Sequence, residues 1–96
     1  MATLIFKHGF TERDQDEVSA RGYCAHVKAM LGNGHTYEIV FYDPVRLKQD
    51  IEDEGTGFLA EPGMIILTEV SLKNMQVAVD RLEKEGFFSR LLPTVD

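Results

Sequence analysis

The sequence predicts an α+β domain: a two-layer sandwich whose mixed or mainly antiparallel sheet of four to five strands carries two helices on one face. Three observations carry this expectation. Residues 20–47, ARGYCAHVKAMLGNGHTYEIVFYDPVRL, alternate apolar and polar positions on both sides of a glycine-rich turn, which is the mark of a β-hairpin. From Leu72 to Leu82 apolar residues recur at three- and four-residue spacing, the mark of an amphipathic helix. Met64 to Leu67 is an unbroken apolar run, suited to a strand covered on both faces. The expected order is β-β-β-α-β-α-β in a single domain over residues 1–96.

Taken in order, Thr3 to Phe6 (TLIF) reads as a strand ended by Lys7, His8 and Gly9. Thr11 to Ser19 is polar without a clear period, so a surface loop or an irregular strand extension is expected. In the hairpin Tyr23, Ala25, Val27, Ala29 and Leu31 share odd parity with Tyr37, Ile39 and Phe41. A two-residue Asn33-Gly34 turn would mix the faces, whereas a three-residue loop with Gly34 in the left-handed conformation pairs odd with odd. The three-residue loop sets Leu31 opposite His35, Val27 opposite Ile39 and Lys28 opposite Glu38. It also sets Cys24 opposite Tyr42 and His26 opposite Val40. Gly22, just inside the strand, is the expected place for a bulge.

Asp43-Pro44 is a strong helix start, with Asp43 as N-cap and Pro44 in the first turn. The helix should run from Pro44 to about Glu54, but Leu47 and Ile51 give it a narrow apolar face that covers little of the sheet. Its acidic last turn has the wrong sign for the helix dipole and should fray. Residues 55–63 should be a loop before the Met64 strand. Ser71 caps the Leu72 helix, and Gly86 stands where its C-terminal cap belongs. Phe87, Phe88, Leu91 and Leu92 then form a short final strand or docking segment before Pro93.

Composition narrows the function. Apolar content of 44% and charged content of 27% are ordinary for a soluble domain, and no segment approaches the ~20 apolar residues of a membrane span. The opening MATLIF lacks the basic and long apolar regions of a signal peptide. Cys24 is the one cysteine, which excludes an internal disulfide and makes the cytoplasm the expected compartment. A net charge of −6 weighs against nucleic acid, which needs a positive footprint, and makes a basic partner electrostatically easier. The acidic blocks at 12–17 and 50–54 read as solvated surface.

Candidate chemistry starts with Cys24 and His26, which by simple alternation share the even face about 7 Å apart. A thiolate with a histidine base is conceivable there, but no oxyanion site adjoins it. An inert small Cys24 beside a partly exposed His26 is the stronger reading. Cys24 with His8, His26 and His35 matches no zinc-ligand spacing, and residues 50–54 lack the calcium-loop pattern. No metal or cofactor is therefore expected. The Gly32 and Gly55 tracts are turns, not phosphate cradles. Arg46 either pairs with Asp50 one turn on or offers its guanidinium to an anionic ligand beside Tyr42.

The even hairpin face is the least explained feature, because Cys24, Met30, Val40 and Tyr42 place apolar surface between His26, Lys28, Thr36 and Glu38. Such a face suits self-association or a protein partner, unless the Thr11 to Ser19 segment or the C-terminal tail covers it. The favoured reading is a small acidic interaction or regulatory module acting through Cys24, His26, Met30, Val40, Tyr42 and Arg46. The alternative is a small-ligand domain or enzyme using Cys24 and His26, or Tyr42 and Arg46.

Overall fold

The computed structural model describes residues 1–94. It contains β1 (Thr3–Phe6), α1 (Glu12–Arg21), β2 (Tyr23–Met30), β3 (Thr36–Tyr42), α2 (Pro44–Glu54), β4 (Met64–Ile66), α3 (Leu72–Lys84) and a 3-10 turn at Phe87–Arg90. The sheet order is β1-β2-β3-β4, with β1/β2 and β2/β3 antiparallel and β3/β4 parallel. This is a mixed α+β sheet, as the alternation and the helix between β3 and β4 require. Among the described residues no helix is long and apolar enough to cross a membrane.

The hairpin turn forms as its glycines dictate. Leu31 N–H donates to the His35 carbonyl at 2.9 Å, Gly34 sits at φ +87°, and Val27/Ile39 and Lys28/Glu38 are partners. Nearer the other end the register shifts between Cys24 and Val27, so that Cys24 faces Phe41 and Tyr23 faces Tyr42. Ala25 and His26 thus stand together against Val40, a β-bulge with His26 at φ 58°. The expected Cys24/Tyr42 pairing is therefore corrected by one residue, whereas His26 keeps its place opposite Val40 and shares it with Ala25.

The bulge is not at Gly22, which instead ends α1 in the left-handed conformation at φ 67°. The expected loop at Thr11 to Ser19 is corrected to this helix. Thr11 accepts from Asp14 N–H while the Asp14 carboxylate accepts from Thr11 N–H, a reciprocal capping box that holds a helix start with little apolar content. Glu17 pairs with both Arg13 and Arg21 along the exposed side.

The core lies between the sheet and helices α1 and α3. Val27, Ala29, Tyr37, Ile39 and Phe41 meet Val70, Met75, Val79 and Phe88, with Val18 of α1 and Leu82 of α3 packed at the margin. Asp43 caps α2 as expected, accepting from Arg46 N–H at 2.7 Å, but α2 buries no residue and adds none to this core. The expected final strand is corrected to the 3-10 turn, in which Phe88 packs on Tyr37 at 5.2 Å between ring centroids. The following tail is a docking segment: Thr94 N–H donates to the Thr36 carbonyl at the start of β3, outside the stretch that pairs with β4.

Candidate functional site

The bulge decides where each candidate residue points. An extra residue between Cys24 and Val27 inverts the alternation beyond it, so Cys24 turns into the core at 6% exposure. His26 stays exposed. The expected shared face for Cys24 and His26 is thereby corrected. Burial, and secondarily the charge of Asp14, pushes the Cys24 thiol up to about 11, the opposite of what a nucleophile needs. Among the described residues no group of three His, Cys, Asp or Glu side chains is arranged to hold a metal.

Tyr23 moves the other way, out of the expected core face and onto the far side of the sheet beside Tyr42. Their ring centroids are 4.9 Å apart, and the Arg46 guanidinium of α2 stands 5.0 Å from the Tyr23 centroid, a cation–π contact. Arg46 also donates from Nε to Asp50 Oδ1 at 2.8 Å and from Nη1 to the Arg21 carbonyl at 3.3 Å. These contacts follow the Asp50 pairing, and they occupy the guanidinium. Burial pushes the Tyr42 hydroxyl up to about 12, with Tyr23, Glu61 and Asp50 adding to the shift and Arg46 opposing it. Val40 is buried as well, at 7%, beside a cleft lined by Glu61, Pro62 and the tail residues Arg90 to Thr94. The chain itself therefore covers Val40 and Tyr42, using α2, the loop before β4 and the tail.

The other half of this face is open. Ile5 is 40% and Met30 36% exposed. Alongside them Ile5, Lys7, His26, Lys28 and Glu38 border a shallow cleft of about 430 Å³, with Val27 and Ile39 also lining it. Strand pairing explains the grouping: Ile5 lies opposite Lys28, Lys28 opposite Glu38, and Lys7 N–H donates to the His26 carbonyl at 3.0 Å. Of the candidates named from the sequence, this half keeps His26 and Met30. The structure adds Ile5 and Lys7, which sequence reasoning missed because nothing in TLIF specifies which neighbour β1 pairs with. The odd parity of Ile5 in β1, continued by Lys7 just past its end, was the available signal once that neighbour is known.

No family model matches the chain, and neither the curated proteins nor the solved structures contain a significant match to it. The chemistry of the site must therefore be read from its residues. It offers two lysines, an imidazole, one carboxylate and the exposed apolar side chains of Ile5 and Met30.

Proposed function

We propose that this protein is an interaction module that binds a protein partner through the open half of its sheet. Ile5 and Met30 are the apolar contacts, and His26, Lys28 and Glu38 form a polar rim. The observation carrying this reading is that Ile5 and Met30 remain exposed as diagonal neighbours across the β1/β2 pair, Met30 being opposite Thr3 and Ile5 opposite Lys28, while Val40 and Tyr42 on the same face are covered. Apolar area removed from water here favours association by ~25 cal/mol per Å² before ordering costs are subtracted. Polar rim groups set orientation more than affinity. The net charge of −6 favours a protein over a nucleic acid as partner. A single buried thiol suits a reducing compartment, so the cytoplasm is the proposed location.

The test combines self-association with site-specific crosslinking. Sedimentation velocity over a wide concentration range reads whether the partner is a second copy. A photo-crosslinking residue at Met30, compared with one at exposed Lys48 on α2, reads a different partner in the native host. The expected result is either concentration-dependent sedimentation or a discrete adduct formed from position 30 and not 48, abolished by Ile5→Lys. A strictly monomeric protein with no adduct specific to position 30 refutes the proposal.

A further inference from the structure

We infer that the cleft at the bulge is a binding site for a small oxyanion, a ligand carrying a carboxylate or phosphate group held by Lys7 and His26 with Lys28 at its margin. This goes beyond the protein-binding reading and can fail or stand without it. Three independent observations lead here. The first is shape: a shallow cleft of about 430 Å³ runs over the β1/β2 and β2/β3 strand pairs, with Lys7 in the turn that follows β1.

The second is charge. In a chain of net −6, the side chains around this cleft include Lys7, His26 and Lys28 against one acid, Glu38. Glu38 lies directly opposite Lys28 across the β2/β3 ladder, so the charge offered to a ligand is chiefly that of Lys7, with the His26 imidazole as a neighbouring N–H donor. Charges farther than about 8 Å are largely screened at physiological ionic strength. A small anion therefore responds to this local cluster, whereas an acidic protein or nucleic acid would meet the whole negative surface.

The third is backbone conformation. His26 is the non-glycine residue that the described chain holds at positive φ, at 58°, inside a bulge, where such residues commonly re-aim a side chain at a functional site. The Lys7 N–H bond to the His26 carbonyl fixes the two residues next to each other. An oxyanion between them accepts from the Lys7 ammonium and from an imidazole N–H, while the stem of Ile5 contacts the apolar part of the ligand.

The experiment is an amide chemical-shift titration of the intact protein with sodium phosphate and, separately, sodium succinate, each against sodium chloride at equal ionic strength. The expected result is saturable shifts confined to residues 5–7, 26–28 and 38–39 with at least one of the two probes. Phosphate alone saturating assigns a phosphoryl ligand, and succinate alone a carboxylate. Lys7→Gln and His26→Asn should each weaken binding about tenfold, the size of one charge-assisted hydrogen bond. Asparagine tolerates the left-handed conformation, so His26→Asn removes the imidazole and keeps the bulge. Shifts that grow linearly as they do in chloride, or saturation unaffected by both substitutions, overturn the assignment. The wild-type arm needs no variant to fold.

Discussion

Replacing Gly22 by alanine tests how the end of α1 is locked to the start of α2. Gly22 holds φ +67°, and a Cβ there would lie within 2.6 Å of three atoms of the Asp43 carboxyl group. That same carboxylate caps α2 through Arg46 N–H at 2.7 Å, and Asp43 N–H donates to the Gly22 carbonyl at 2.8 Å. Left-handed strain for alanine costs ~1.5 kcal/mol, offset by ~0.5 kcal/mol from the stiffer unfolded chain. Pushing Asp43 aside then loses the cap, another ~1 kcal/mol. The total is about 2 kcal/mol, a melting-temperature fall of roughly 8–16 °C for a domain of this size. Asp43→Ala alone should cost ~1 kcal/mol. In that background the clash is gone, so the double variant should also lose only about 2 kcal/mol rather than the additive ~3. Urea unfolding of the four proteins followed by circular dichroism measures the cycle. Additive losses, or a neutral Gly22→Ala, refute the idea that this carboxylate and this glycine share one space.

At Gly34 a Cβ would meet nothing within 4 Å, so Gly34→Val should cost only the conformational term, on the order of 1 kcal/mol. Gly63→Ala should cost more, because its Cβ would overlap the Glu38 backbone carbonyl, which cannot swing aside as a side chain does; equal urea midpoints for the two variants would contradict this. Cys24, with its thiol near 11, should react with iodoacetamide at pH 8 no faster than the protein opens, and rapid alkylation at pH 6 would restore it as a candidate nucleophile. Asp80 and Glu83 are held below the ordinary carboxylate range, first by the backbone N–H groups of Ala2 and Gly32 respectively. Their contribution is present above the unfolded-state pKa values near 4 and is lost as pH falls through the lower folded values. Asp80→Asn should therefore flatten the acid side of the stability–pH profile below about pH 4, and an unchanged profile would remove this role.

Features encoded by neighbouring residues were legible in the sequence. The Gly32-Asn33-Gly34 loop fixed a register that pairs Lys28 with Glu38, and Asp43-Pro44 and Ser71 marked helix starts that carry side-chain caps. Helix α1 was illegible by periodicity because Val18 is its one side chain packed on the core. Its signal was Thr11 followed by Asp14, a capping box in a segment too polar to suggest burial. The Phe87-Phe88 pair resembles strand sequence, but Gly86 at φ 78° starts a 3-10 turn, and Phe88 fills the core through that turn instead. The bulge was hardest to see, since Ala25 and His26 are ordinary strand residues and what they oppose depends on β3.

That bulge also explains why one half of the outer face is covered and the other is not. Beyond it, the inverted parity places Tyr23 beside Tyr42, which makes an aromatic floor under Arg46. The helix α2 joins two parallel strands, and such a crossover must lie over the strands it connects, here β3 and β4. Its eleven residues span only about 16 Å. It therefore cannot reach the β1/β2 side, where ordinary alternation leaves Ile5, Lys28 and Met30 facing outward. The cover at Tyr42 and the opening at Met30 both follow from topology: a sheet whose one parallel crossover sits at its β4 edge leaves the outer face of its β1 edge without a helix. A surface left open in this way is supplied by the fold itself, and what its sequence adds is the choice of Lys7, His26, Ile5 and Met30 to occupy it.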